Sequence, residues 1–306
     1  MEVAQNVAVL FVLMAAGFAV KKLNIVSDEA VRGMSGLLLN VSMPALIISS
    51  LQKPFTTSLL ISGLGVVGIE FALYALAVPL AMLTTRLVRS QKHERGVLEY
   101  GIVFGNVAFM GFPVVEAMFG PSALFQASLC IVPFNLLAFS FGAWMIARES
   151  HEPLKLSFGL FVNANTIGTL IGFAFFLFSF KLPAPIAKAF SLTGSLTTPL
   201  AMIITGAILA RTDLIAAFRS IGVHAVLVVR LLVFPFIAYF ILKMAGLQGH
   251  ALAIPVILAA MPVAANTSIL AESYGGNAEI GSALVGASTL LSALTIPLFA
   301  TLLLGA

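Results

Sequence analysis

The sequence predicts an all-α integral membrane protein: ten transmembrane helices in two inverted five-helix repeats, with the fourth and ninth helices broken and crossed. Three observations carry this. The first is composition, since 60% of the 306 residues are hydrophobic and 9% are charged, with a mean hydropathy of +1.09. An ordinary globular chain is about 25% charged. The second is ten apolar segments, most of them near the ~20 residues that cross a hydrocarbon core of about 30 Å. The third is a repeat at an offset of 155 residues. Gly17-Phe18-Ala19 recurs as Gly172-Phe173-Ala174, Leu37 as Leu192, Pro44 as Pro199, Ile48 as Ile203, Thr57 as Thr212 and Gly120 as Gly275, while Pro79 and Pro235 pair after a one-residue slip. Residues 1–150 form the first repeat and 151–306 the second, each with five spans. An odd number of spans turns the second copy upside down relative to the first, which is the architecture of secondary transporters.

The first span covers 3–20 and is followed by Lys21 and Lys22. Met1-Glu2-Val3 has no basic region ahead of the apolar run, so no cleaved signal peptide is expected. The second span, 31–51, has Ser27 as a plausible N-cap, with Asp28 and Glu29 in the first turn, where carboxylates meet the positive helix end. The third span, 57–84, holds Glu70 and Tyr74. The polar stretch from Arg86 to Arg95 precedes the fourth span, 97–119, and the fifth, 122–147, holds Cys130 as a small apolar filler and Trp144 as an interfacial anchor. Arg148 to Lys155 marks the junction between the repeats. The remaining spans are expected at 157–180, 186–210, 214–243, 251–274 and 279–304.

Orientation follows from Lys and Arg. Eleven of the 16 lie at the odd-numbered loops, four at the termini and even-numbered loops, and Arg230 lies inside the eighth span. Basic loops stay in the cytoplasm, so both termini are expected on the outer side of a cytoplasmic (inner) membrane. The net charge of +4 belongs to this asymmetry and does not point to nucleic acid.

The fourth and ninth spans, symmetry mates, are both interrupted. One carries Gly105-Asn106, Gly111 and Pro113; the other carries Met261-Pro262-Val263-Ala264-Ala265-Asn266-Thr267-Ser268. Proline removes a backbone donor and clashes with the preceding turn, and glycine weakens a helix further. Asn, Thr and Ser side chains can satisfy the freed backbone groups. Irregular backbone at membrane depth persists only where protein or a water-filled cavity surrounds it. Two ordinary proline kinks would explain either break alone, but not their coincidence with the repeat. Crossed breaks aim half-helix N-termini, suited to an anion, and C-termini with free carbonyls, suited to a cation, at one point. Asn106, Gly111, Pro113, Pro262, Asn266, Thr267 and Ser268 are therefore the candidate substrate-binding residues.

Intramembrane charges are costly and usually paired or functional. Glu70 either pairs with Arg230, which has His224 nearly two turns earlier, or titrates as a proton-coupling group. Glu116 and Glu272 either support a cation site or lie near the membrane face, and Glu99 and Glu279 are expected at the interface. Pro44 and Pro199 are read as kinks that shape a scaffold or line the site. No HExxH, GxxxxGK[ST] or CxxC motif occurs, and the four histidines are scattered, so neither an enzyme, a metal centre nor a bound cofactor is expected.

At Leu38-Leu39-Asn40-Val41-Ser42-Met43-Pro44-Ala45-Leu46, at Gly105-Asn106 with Gly111 and Pro113, at Gly194 with Pro199-Leu200-Ala201, and above all at Met261-Pro262-Val263-Ala264 through Ala271-Glu272-Ser273-Tyr274-Gly275-Gly276, the chain resembles the auxin efflux carrier family of bacterial permeases and plant PIN carriers. The resemblance runs over nearly the whole chain, without the long central loop of many plant members. It implies a fold distantly shared with bile acid sodium symporters. Spans 1, 2, 6 and 7 would form a dimerising scaffold, and spans 3–5 and 8–10 a transport domain that moves as an elevator. It also implies organic-anion substrates, auxin in plants and malate or malonate in bacteria, and makes Glu70 a counterpart of an acidic residue in span 3 of PIN carriers. The expected function is secondary transport of a small mono- or dicarboxylate with H+ or Na+ as coupling ion, in contact with membrane lipids. A membrane-embedded anion receptor without flux is the alternative.

Overall fold

The computed structural model describes residues 2–148, 163–212 and 220–304. The start of the expected span at 157–180, most of the repeat junction from Arg148 to Lys155, and the start of the span at 214–243 lie outside the described residues. Among the described residues the regular structure is helical: α1 Glu2–Lys22, α2 Asp28–Leu51, α3 Thr57–Leu87, α4 Lys92–Val103, α5 Val107–Phe119, α6 Pro121–Ala147, α7 Ala164–Leu177, α8 Ala184–Leu209, α9 Ile221–Met244, α10 Gly249–Ala259, α11 Thr267–Ser273 and α12 Ala278–Leu304. Seven of these, α1, α2, α3, α6, α8, α9 and α12, are long and apolar enough to cross a membrane, and α5, α7 and α10 are shorter apolar helices. The protein is thus an integral membrane protein.

Helix starts follow local chemistry. Ser27 caps α2, its hydroxyl accepting from Ala30 N–H at 3.2 Å, as the sequence predicts. Asp28, in the first turn, pairs with Lys21 at 2.5 Å and Arg211 at 2.9 Å. Asn163 caps α7 by accepting from Asn165 and Thr166. Gly120 after α5 and Gly275 after α11, one repeat offset apart, both take left-handed backbone, with φ of 77° and 71°. A residue with a Cβ adopts that conformation only at a cost, which explains why glycine recurs there.

Among the described residues four helices contain a wide π-turn: Leu38–Ser42 in α2, Val107–Gly111 in α5, Ala138–Gly142 in α6 and Val229–Val233 in α9. In three of them a proline follows two residues later, at Pro44, Pro113 and Pro235. A helical proline has no N–H for the carbonyl four residues back, and its ring collides with that carbonyl. Here that carbonyl belongs to Asn40, Phe109 or Leu231, each inside the π-turn, whose wider backbone moves it aside. The kink expected at Pro44 is therefore a π-turn, whereas α8 loosens at Leu196, ahead of Pro199.

The chain divides into two compact units. One comprises the described residues within Met1–Gly68, Ala108–Val132 and Phe158–Arg211. In it α1 and α8 touch backbone to backbone: a Cβ on Gly17 would lie 2.1 Å from Ile203 O, and one on Gly206 would lie 1.9 Å from Met14 O. Helices α2 and α7 repeat the arrangement, with a Cβ on Gly172 lying 3.2 Å from Ile48 Cα. Close approach at small residues is the usual way membrane helices associate, since lipid gives no hydrophobic drive between them. The two contacts are reciprocal, because Gly17 and Gly172 are repeat mates, as are Ile48 and Ile203. Ser42 and Thr197, 155 residues apart, hydrogen-bond each other at 2.7 Å, and Ser42 also donates to Thr193 O at 3.0 Å. The second unit comprises the described residues within Ile69–Val107, Pro133–Ser157 and Thr212–Ala306, and it contains both helix breaks.

Candidate functional site

The site is built where α4 and α10 stop. After Val103 the chain turns extended at Phe104 (φ −107°, ψ 114°) and runs through Gly105 and Asn106 before α5 begins. After Ala259 it is irregular until α11 starts at Thr267. The two stubs meet in an antiparallel bridge, Gly105 opposite Val263. Asn106 N–H donates to Pro262 O at 2.7 Å and Ala264 N–H donates to Phe104 O at 3.0 Å. Val263 N–H donates to Ser288 Oγ on α12 at 3.0 Å, and Thr267 Oγ1 donates to Ala264 O at 2.6 Å. Each break thus satisfies the backbone of the other, the condition for irregular backbone in a membrane protein.

Arg230, in the π-turn of α9, reaches this point and is 2% exposed. Its Nε donates to Met261 O at 2.9 Å, Nη1 to Ile102 O at 3.1 Å and Val103 O at 3.3 Å, and Nη2 to Leu258 O at 3.3 Å. These carbonyls belong to the C-terminal ends of α4 and α10 and to the residue two past α10. The ring of Phe234 lies 5.5 Å from the guanidinium carbon. Gly105 makes room for the group: a Cβ there would lie 1.8 Å from Nη2. Glu70 on α3 is 5% exposed and within electrostatic reach of Arg230, but the two form no ion pair, and Glu70 Oε1 has no hydrogen-bond partner. Aromatic rings pack beside the crossover, with Phe104 at 4.7 Å from Tyr100, 5.5 Å from Tyr74 and 6.2 Å from Phe134.

The predicted residues distribute as follows. Asn106 is 4% exposed and Thr267 0%; Pro262 is buried, and Asn266 and Ser268 are half-buried beside them at the break. The Asn266 side chain is a polar neighbour of the buried Tyr100 hydroxyl, which makes no hydrogen bond. Gly111 and Pro113 are buried in the first unit. Glu116 is in that unit too, accepting from Thr198 Oγ1 at 2.7 Å. Pro44 packs against Gly168, and Pro199 is half-buried on α8. Glu272 is exposed, as is His224, whose Nδ1 lies 2.9 Å from Ser220 O.

Two features escape sequence reading. Glu99, expected at the interface, is 1% exposed; it accepts from Thr85 Oγ1 at 2.9 Å and pairs with Arg148. A cavity of about 420 Å³ in the first unit is lined by Ser49, Ser50, Gln52, Lys53, Glu116 and Ser195, among others. Lys53 donates to Ser122 O at 3.1 Å there, and partial burial pushes its amine below the ordinary lysine value of 10.5. Spacing alone signals neither, because the partners come from distant helices.

Known proteins resemble this chain over nearly its whole length. The sequence model of the family described as membrane transport protein matches residues 2–155 and 145–300, so the chain belongs to that family. An uncharacterized transporter of Methanocaldococcus jannaschii is 23% identical, over 97% of this chain and 98% of its own length. An uncharacterized transporter of Methanothermobacter thermautotrophicus is 26% identical, over 98% of each chain. A Rhizobium meliloti protein named "putative malonate transporter" is 22% identical, over 96% of this chain and 94% of its own length.

Proposed function

We propose that this member of the membrane transport protein family is a secondary carrier of a small organic anion, a mono- or dicarboxylate of the malonate and malate class. The carrying observation is the antiparallel pairing of the two helix breaks at Gly105 and Val263. It gathers Asn106, Asn266, Thr267 and Ser268 around backbone that has left the helical ladder. Such discontinuous helices form the substrate and ion sites of secondary transporters. The malonate name of one relative supports the substrate class.

In this reading the chain has ten spans in two inverted repeats. The Ser42–Thr197 bond and the reciprocal Gly17–Ile203 and Gly172–Ile48 contacts support it, because residues related by a two-fold axis meet each other on it or in matched pairs. Movement is of the elevator type, in an inner-membrane homodimer joined through spans 1, 2, 6 and 7, with both termini outside. The coupling ion is H+ or Na+, and Glu70 is the group through which a proton would act. Glu70→Gln then removes the pH dependence of uptake and leaves exchange intact; unchanged pH dependence excludes Glu70.

The test is reconstitution in liposomes, with uptake of labelled malonate, malate and an indole carboxylate under imposed H+ and Na+ gradients. Saturable uptake of one anion is expected, reduced at least tenfold by Asn106→Ala or Asn266→Ala, a loss of ~1.4 kcal/mol or more. Saturable binding without flux in folded protein would make it a receptor instead.

A further inference from the structure

We propose that Arg230 is a built-in cation, occupying the seat that a co-transported alkali ion would otherwise take at the crossover, so that Na+ does not couple through this site. The inference rests on the carrier reading only in naming the displaced ion as a coupling ion; the seat itself is read from geometry.

A helix C-terminus carries about −0.5 elementary charge on its unpaired carbonyls. The ends of α4 and α10 face one guanidinium, so two half-charges of about −1 in total meet a single positive charge. In carriers with discontinuous helices, half-helix C-termini and unwound carbonyls are the groups that coordinate Na+. Here those carbonyls, Ile102, Val103, Leu258 and Met261, accept from Arg230 at 2.9–3.3 Å. A buried cation ordinarily pairs with a carboxylate. Glu70 is near enough to be felt but forms no ion pair, so the helix ends supply the compensation.

Shape points the same way. Gly105 holds open a volume that its own Cβ would take, 1.8 Å from Nη2 and 2.8 Å from Cζ. Arg230 is itself 2% exposed, so the guanidinium is buried with the carbonyls it holds. A guanidinium on a covalent tether has no dissociation step, so the charge travels with the protein and not with the substrate.

The test vacates the seat and asks whether a free cation refills it. Detergent-purified wild type, Arg230→Ala and Arg230→Gln are melted in millimolar sodium, potassium or guanidinium chloride, with choline chloride as the ionic-strength control. Arg230→Ala opens space for guanidinium or Na+; Arg230→Gln removes the charge with less loss of volume, and admits only the smaller ion. Expected is a saturable rise in Tm of about 3–6 °C over choline in the variants, at a large excess of ion over Kd, with none in wild type. The proposal is overturned if neither variant responds, or if wild type responds to Na+ as strongly as they do. Failure of both variants to fold even in sodium or guanidinium also counts against it, since a refilled seat should restore them. The readout needs no flux, so its failure is distinct from a failure of the carrier assignment.

Discussion

Gly105→Ala adds a single methyl group at the point where the two helix breaks cross. Gly105 has no left-handed φ, so alanine brings no backbone strain, and the effect is confined to what the methyl meets. It meets Arg230: Nη2 at 1.8 Å and Cζ at 2.8 Å, whereas the nearest backbone atom, Met261 O, stays at 3.3 Å. Ordinary carbon contacts begin near 3.5 Å, so the guanidinium retreats by roughly 1.5 Å. Hydrogen bonds now at 2.9–3.3 Å do not survive that displacement. Each bond to a charged group contributes about 1.5–3 kcal/mol, and a buried charge stripped of its partners costs about 3–5 kcal/mol, which we take as the size of the effect. At roughly 2–4 °C per kcal/mol, Tm falls by about 6–20 °C. The assay is thermal melting of the detergent-solubilised protein, with Gly68→Ala on α3, where a Cβ meets nothing within 4 Å, as the control. That control should be neutral or slightly stabilising, since alanine favours a helix by ~1 kcal/mol over glycine. Arg230→Gln combined with Gly105→Ala should cost less than the sum of the two, because the shorter neutral side chain relieves the collision. A Gly105→Ala protein that melts within about 2 °C of wild type, or strictly additive effects, would refute the assignment of Gly105 as the seat of the guanidinium.

Three further outcomes follow from buried polar contacts. Arg148→Ala takes one guanidinium from the buried Glu99 carboxylate and should destabilise the fold, by up to about 3–5 kcal/mol, part of it recovered by adding Glu99→Gln; equal melting of the single and double variants would contradict this. Ser42→Ala strands the fully buried Thr197 hydroxyl and should cost about 1–3 kcal/mol, while Ser42→Ala with Thr197→Val should lie close to wild type by the same melting assay. Lys53 has its amine depressed below 10.5 by partial burial. The unfolded chain therefore binds more protons just below that value, and stability rises with pH across the window between the depressed value and 10.5. Lys53→Met should flatten that rise in an alkaline Tm series, and an unchanged slope would assign it to another group.

Much of the fold is legible in the chain because membrane segments report their own environment. A run such as Thr57–Leu87 needs only its composition to be read as a span, since lipid admits no other solution for its backbone. The break at Phe104–Asn106 and the one after Ala259 were readable for the same local reason, from glycine, proline and small polar residues where a helix would otherwise continue. The proline pattern was legible only in part. Sequence marks Pro44 as a disturbance, but whether the helix kinks or widens depends on where the carbonyl of Asn40 goes, and that depends on packing.

Sequence by itself determined that this is a helical membrane protein with two interrupted apolar segments, because hydropathy and helix-breaking residues are properties of the chain. Tertiary structure alone decided what the buried charges face. Glu70 and Arg230 read as natural partners in a list of side chains, yet Arg230 turns to the carbonyls of Ile102, Val103, Leu258 and Met261. Every residue carries a carbonyl, so no sequence pattern marks those four. Only where α4 and α10 end side by side do the carbonyls of their last turns become the partners of a buried cation.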